Sequence, residues 1–405
     1  MGKEVELDSL LQTIVAHTTE VMDAERSSLF LFDAEKNELW SKVAEGIILK
    51  EIRFPSDKGI AGYVVQNREV LNIEDAYQDE RFNQQIDIDT GFHTRSILCM
   101  PIITNDDRLL GVIQVLNKTT SDFFLPEDVN LLEALVSQIE VALERATLIE
   151  ESLEKKRIEE SIKLAHEIQM GLLPKTFPAF PDRHELDIYA VTKPAKGVCG
   201  DFYDFFLVDD DHLTFVIGDV SGKGIPAALF MAVTKTLVKT LSTSSTSPGE
   251  LLGKVNNELY DQNDSGMFVT VFYGILNFKT GELRYSNGGH NPPYLYDSKN
   301  ASTEELETGG VALGVLKDYE YFNKTVPMSL GDNIFLFTDG VNEACDMDNN
   351  EFSNERLVSI LQKASWNSTK EMTLLALSNV ESFVGNASQS DDITIMVVSY
   401  LGKGK

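Results

Sequence analysis

Four aspartates stand at the ends of apolar runs. Asp201 lies in GDFYD ahead of 205–208, Asp219 follows 213–217 and opens into GDVSGKGIPAAL, Asp339 closes 333–338 in FTDG, and Asp391, followed by Asp392, precedes 393–400. One aspartate at a strand end is ordinarily a turn residue, because its side chain bonds the backbone locally. Four such sites, three of them beside a glycine, are harder to explain by turns. Gathered in one fold, four carboxylates would repel and raise one another's pKa unless cations neutralised them. A carboxylate set of this kind offers hard oxygen ligands, which suit Mg2+ or Mn2+ rather than zinc or copper. Two such ions polarise a water into a nucleophile and clamp phosphoryl oxygens for in-line displacement. Phosphate monoester hydrolysis, among the slowest uncatalysed reactions, needs electrostatic help of that size.

The stretch 218–229 has two competing readings. A phosphate-cradling P-loop needs GxxxxGK followed by Ser or Thr, but Gly218 and Gly222-Lys223 are one residue too close and Gly224 takes the hydroxyl position. The DxGxG ATP box of histidine kinases differs from 219–224 only by the extra residue Ser221, and 165–168 resembles the phosphorylated box that would accompany it. That kinase reading needs an asparagine-bearing helix ahead of the ATP box, and 166–218 contains no asparagine. His166 is then a partly solvated helix residue, and the metal carboxylate is the stronger reading.

The elements that must position these aspartates occupy the second half of a chain of 405 residues, a length that predicts two or three domains. Apolar content of 42% supplies sizeable cores and excludes wholesale disorder. A formal net charge of −29, without a local basic patch, argues against nucleic acid and anionic membrane surfaces as partners. Cys99, Cys199 and Cys345 fit neither a disulfide framework nor a zinc site. No run of 18 apolar residues occurs and the acidic N-terminus is unlike a signal peptide, so a soluble cytoplasmic protein is expected.

Residues 3–22 read as a helix, 27–33 as an alternating strand, and 47–54 as a second strand-like set. Gly59 and Gly62 frame a short helix, and 96–103 and 111–117 are apolar runs joined by a turn. The order of these pieces, with Arg26 to Asp33, Gly59-Ile-Ala-Gly62, the 72–77 segment and 111–118, resembles a GAF domain, a small-molecule sensing module. Asn117, Lys118, Phe123, Glu127 and Asp128 approximate the signature of cyclic-nucleotide-binding GAF domains, with the final acid pair reversed. The resemblance implies a cyclic nucleotide as ligand; the same residues would otherwise tie a closing helix to the sheet.

From Leu131 to Leu173 a long helix is expected. Leu135, Ile139, Ala142, Ala146, Ile149 and Leu153 keep the spacing of a coiled-coil seam, and the phase changes between 154 and 161. This connector reads as a homodimerising lever with one soft point, the alternative being a single helix packed on its own domains.

Beyond Pro174 the motifs fall in one family's order: EIQMGLLP at 167–174, GDFYD, GDVSGKGIPAAL, the 287–293 loop NGGHNPP, FTDGVNEA at 337–344, and SDDIT at 390–394. Residues 174–401 resemble a metal-dependent serine/threonine phosphatase of the PPM family, in its bacterial SpoIIE/RsbU-like branch. The resemblance implies that Asp201, Asp219, Asp339, Asp391 and the backbone carbonyl of Val220 hold two Mn2+ or Mg2+ ions. Asp392 stands where many relatives have asparagine, at the metals or just behind them. The helix near Ile225 is implied to be a regulatory switch. Three departures stand out: Cys199 replaces a second glycine, Ser221 occupies the place of a histidine in eukaryotic relatives, and Ser353-Asn354 replaces a usual glycine. His290 is either a leaving-group acid or a loop-fixing residue, and a metal-activated water could serve instead.

The fold expected is α+β: a GAF domain over 1–130, a helical coiled-coil linker over 131–173, and a PPM αββα sandwich over 174–405. The function expected is a GAF-regulated phosphoserine/phosphothreonine phosphatase acting on a partner protein, by family habit an anti-sigma factor antagonist. The alternatives are a non-catalytic signalling scaffold that keeps the phosphatase fold and a GAF-linked kinase.

Overall fold

Period-two apolar alternation in the first third of the chain produces a six-stranded antiparallel sheet. In the computed structural model, which describes residues 2–41, 52–195, 197–307, 309–363 and 366–402, the order is α1 (Gly2–Val21), β1 (Ala24–Asp33), β2 (Glu38–Ser41), β3 (Ile52–Pro55), α2 (Gly59–Asn67), β4 (Leu71–Ile73), α3 (Gln84–Thr90), β5 (Ile97–Ile103), β6 (Leu109–Lys118) and α4 (Pro126–Leu172). The strands lie β3-β2-β1-β6-β5-β4. Of the expected strand at 47–54, only the part from Ile52 lies among the described residues. On β5, Leu98, Met100 and Ile102 join Leu11 and Val15 of α1 and Leu132, Ile139 and Leu143 of α4, while Ile97 and Cys99 face Ile60, Ala61 and Val64 of α2. Both faces are covered, so β5 reads as an unbroken apolar run.

Helix α4 begins earlier than Leu131 because Pro126 suits a first turn, where a missing N–H is harmless, and Glu127 and Asp128 complement the helix dipole there. The first seam residues, Leu135 and Ile139, pack into the N-terminal core. The chain divides into compact units at Arg157/Ile158, inside the stretch where the seam changes phase.

The second unit contains β7 (Leu186–Lys193), β8 (Phe202–Leu207), β9 (His212–Val220), α5 (Ile225–Leu241), α6 (Pro248–Asp261), β10 (Val269–Asn277), β11 (Glu282–Gly288), β12 (Tyr294–Asp297), β13 (Ser302–Glu305), β14 (Lys324–Pro327), β15 (Asn333–Phe337), α7 (Asp339–Asn342), α8 (Asn354–Lys363), α9 (Thr369–Val384) and β16 (Ile393–Tyr400). Two antiparallel sheets, β14-β11-β10-β9-β8 and β13-β12-β15-β16-β7, form its centre. Helices α5 and α6 pack on the first sheet, α8 and α9 on the second. In β16, Met396, Val398 and Tyr400 enter the core that also holds the first sheet's Phe215 and Val216, while Ile393, Ile395 and Val397 pack with Leu357 of α8 and Met372 and Ala376 of α9. That is the αββα layering.

Ser353, where relatives of the resembled family carry glycine, has φ 72°. A side chain in this left-handed region costs about 1 kcal/mol or more. Ser353→Gly is therefore expected to raise the protein's melting temperature by a few degrees, on the order of 1 kcal/mol, as read by thermal denaturation. No helix among the described residues is long and apolar enough to cross a membrane.

Candidate active site

Each of the four aspartates belongs to a different strand end. Asp201 immediately precedes β8, Asp219 lies within β9 opposite Thr270 of β10, Asp339 opens α7, whose N-cap Thr338 directly follows β15, and Asp391 sits just before β16. Glycines allow the close approaches that bring them together. A β-carbon on Gly200 would stand 2.9 Å from the Val220 carbonyl oxygen and 3.5 Å from an Asp219 carboxylate oxygen, and one on Gly340 would clash with the Asp392 carbonyl. The two sheets meet at Thr338: its hydroxyl donates to Asp201 Oδ2 at 2.7 Å and accepts from the Thr394 N–H at 2.9 Å.

The electrostatics are those of crowded carboxylates. Asp201 is almost wholly buried; burial, then the charge of Asp219, holds its pKa well above the usual range. Burial and then the charge of Asp339 push Asp219 to about 7, and Asp339 is raised by burial and by Asp391. Asp391 has a cationic partner that the sequence reading missed: Lys223 Nζ lies 2.8 Å from its Oδ2 and donates to the Ser390 carbonyl at 2.7 Å. Among the described residues, no three acidic, histidine or cysteine side chains are drawn into a ready-made cage. The donor set is all oxygen, and its excess negative charge and the glycine-lined approach of Val220 fit hard divalent cations.

Asp392 plays a separate part. Its Oδ1 accepts from the Ala195 N–H at 2.8 Å and its Oδ2 from the Gly200 N–H at 2.9 Å, so it holds the turn that leads into Asp201. Ser221 closes the β9–β10 ladder: its N–H donates to the Phe268 carbonyl and its hydroxyl accepts from the Phe268 N–H. His290 is buried, shares a 2.9 Å hydrogen bond with the Thr270 hydroxyl, and is gripped at both backbone groups by Asn287. Burial pushes its imidazole down to about 4, so it is neutral near pH 7 and fixes the loop.

A second missed pair ties α5 to β8. Lys235 Nζ meets Asp204 Oδ2 at 2.5 Å with both side chains largely buried. GDFYD thus carries one aspartate for the rim and one that pairs with α5, and only a lysine ten residues into that helix could have signalled the second.

Three of the N-terminal signature residues, Asn117, Lys118 and Asp128, are engaged by contacts within the unit. Asn117 accepts from the Arg95 N–H and donates to Glu25 and the His93 carbonyl, bracing 93–96. Lys118 donates to Asp128 at 2.9 Å and to the Met22 carbonyl, and Asp128 accepts from the Leu125 N–H. Phe123 and Glu127 are exposed, and the buried ring is that of Phe124. These contacts tie α4 to the sheet. Asp128→Ala, which leaves buried Lys118 with only the Met22 carbonyl and the more distant Asp23 at 3.7 Å, is expected to cost about 1.5–3 kcal/mol, measurable as a lowered melting temperature of the N-terminal unit.

The shift at Asp219 has a consequence for stability. A carboxylate whose folded pKa lies near 7 keeps its proton in the folded chain after the unfolded chain has lost it, so its contribution falls as pH rises from about 4 to about 7. In chelator-treated protein, Asp219→Asn is expected to melt higher than the parent by a margin that grows between about pH 4 and pH 7, on the order of a few kcal/mol at most. Parallel melting curves across that range would contradict the shift.

Comparison with known proteins agrees with this geometry. The profile of the family described as "Stage II sporulation protein E (SpoIIE)" matches residues 209–401, and that of the GAF domain matches 6–143. The chain is 31% identical over 299 residues to the phosphoserine phosphatase RsbU of Bacillus subtilis (strain 168), covering 71% of this chain and 85% of that one. The probable 3',5'-cyclic phosphodiesterase pde-5 of Caenorhabditis elegans is 35% identical over 178 residues, 40% of this chain and 24% of its own. The SiaA-PP2C domain of Pseudomonas aeruginosa superposes with a TM-score of 0.55 at 21% identity, covering 61% of this chain and 98% of that domain, a likeness of fold. The chain belongs to the SpoIIE/RsbU-type PPM phosphatases and carries a GAF domain ahead of its phosphatase domain.

Proposed function

We propose that the chain hydrolyses phosphoserine or phosphothreonine on a partner protein, with Asp201, Asp219, Asp339, Asp391 and the Val220 carbonyl holding two Mn2+ or Mg2+ ions. The observation that carries this reading is the gathering of four carboxylates, three with raised pKa, at one rim of the two sheets. When bound, the ions supply the charge that activates a water and neutralises the phosphoryl oxygens. The chain's own residues do the rest. Thr338 orients Asp201, Asp392 fixes the turn before it, and Gly200 leaves room beneath Val220. Lys223 offers the rim an ammonium beside Asp391, and His290, kept neutral, braces the loop below.

The substrate proposed is a phosphorylated anti-sigma factor antagonist, and the domains proposed are 1–130, 131–173 and 174–405. The GAF unit is proposed to take a small molecule and to act through α4 on the catalytic unit. Its likeness to part of a cyclic phosphodiesterase makes cyclic nucleotides the first ligands to test. Dimerisation through α4 is supported by exposed Leu148, Ile149, Leu153, Ile158, Leu164 and Ile168, apolar residues that a lone helix would leave in water.

The test is phosphate release by the full chain from phosphoserine proteins in Mn2+, with and without cAMP or cGMP. Release that stops on chelation supports the metal reading, and a rate changed by a nucleotide supports the sensor. No release from any phosphoserine protein or from a generic aryl phosphate would overturn the first; equal rates would overturn nucleotide control.

A further inference from the structure

We infer that Gln169 is a positioning residue through which the last turns of α4 set the placement of Asp201, an inference that rests on the proposed metal site. Gln169 is only 4% exposed, and its amide grips a single residue at both backbone groups: Oε1 accepts from the Cys199 N–H at 3.0 Å, and Nε2 donates to the Cys199 carbonyl at 2.5 Å. A primary amide offers both a donor and an acceptor for such a two-point hold.

What Gln169 grips has little slack. Cys199 is two residues before Asp201, is itself buried, and its thiol donates to the Asp201 carbonyl at 3.3 Å. Between them, the Gly200 N–H is held by Asp392 at 2.9 Å, and the Gly200 backbone lies too close to the Val220 carbonyl to admit a β-carbon without a shift. Residues 199–201 are therefore fixed from three sides: by α4 through Gln169, by the approach to β16 through Asp392, and by the end of β9 through Val220. Two of these belong to the rim. The third is the helix, whose neighbouring Leu173 is anchored in the sandwich core while Ile168 is exposed. A rotation or slide of α4 that moves Gln169 must pull Cys199 or break two buried hydrogen bonds, and the residue next in line to move is Asp201. Cys199 and Gln169 are joined across 30 residues of sequence, so no local pattern announced the pair.

The experiment measures Mn2+ affinity by electron paramagnetic resonance on the full chain, independent of turnover. Gln169→Met keeps length and apolar burial but pairs with neither backbone group; Gln169→Glu keeps the acceptor and loses the donor. Both are expected to weaken Mn2+ binding about 10- to 100-fold, the usual range for groups that orient metal ligands. Leu173→Ala, buried at the same helix end, is expected to lower the melting temperature without weakening Mn2+. Wild-type affinity in a folded Gln169→Met chain, or an equal loss in Leu173→Ala, would overturn the inference. If the Gln169 variants fail to fold, hydrogen exchange on the wild type decides: Mn2+ should slow exchange of the Cys199 amide, and unchanged exchange there overturns it. A wild-type chain that binds no Mn2+ would instead sink the underlying metal reading.

Discussion

Asp219→Asn is expected to lower kcat/KM on a phosphoserine protein by roughly 10^3-fold, the scale at which removing one preorganised electrostatic group is felt. The variant keeps the shape of the side chain and removes one charge. Asp219 is the member of the set whose neighbours lie on both sheets: Asp201 ahead of β8, Asp339 after β15 and Asp391 before β16 all bear on its ionisation. Loss of its charge removes one of the proposed metal ligands, so activity should not return at saturating Mn2+. Because the same carboxylate is buried and repelled by its neighbours, the chelator-treated variant should be no less stable than the parent. Activity and stability moving in opposite directions is what separates a functional carboxylate from a turn residue. Steady-state kinetics with a melting curve checks it, and a variant within threefold of the parent's kcat/KM would contradict the assignment.

The largest stability effect is expected at the Lys235–Asp204 pair. Both side chains are nearly out of solvent and meet at 2.5 Å, joining α5 to β8. Asp204→Ala leaves an ammonium in a low-dielectric site without its counter-charge, which costs about 3–5 kcal/mol. Replacing both, as Asp204→Leu with Lys235→Met, should recover much of that loss, because the desolvation cost disappears with the charges. Denaturant melts of the single and double variants measure it; additive losses would show that the pair is not coupled. The pair also constrains α5, which begins five residues after Val220, at Ile225: a helix pinned to β8 can move only together with it or after breaking the pair.

The aspartates were legible because each stands at one end of an apolar run, and three of the four, Asp201, Asp219 and Asp339, also adjoin a glycine. Strands such as β5 and β16 were legible as apolar runs, since both of their faces are buried. The partners were not. Nothing local marks Lys223 for Asp391, 168 positions away, or Lys235 for Asp204, and Thr338 reads simply as the residue before Asp339. The contacts of the GAF signature residues were not legible for a related reason: Asn117, Lys118 and Asp128 satisfy backbone and ionic needs within the unit, a role that spacing cannot tell from ligand binding. The ring that matters there is one residue along, because Phe124 rather than Phe123 faces the core. His290 shows the opposite case, where the Gly and Pro neighbours of its loop hinted at the bracing role that the hydrogen bonds display.

The central claim is that these four carboxylates hold catalytic divalent ions, and direct Mn2+ binding tests it most closely. Isothermal titration of the full chain should show binding that is lost or sharply weakened in Asp201→Asn, Asp219→Asn, Asp339→Asn and Asp391→Asn alike, with each variant still folded. A wild type that binds no Mn2+, or variants that bind it as the wild type does, would contradict the claim.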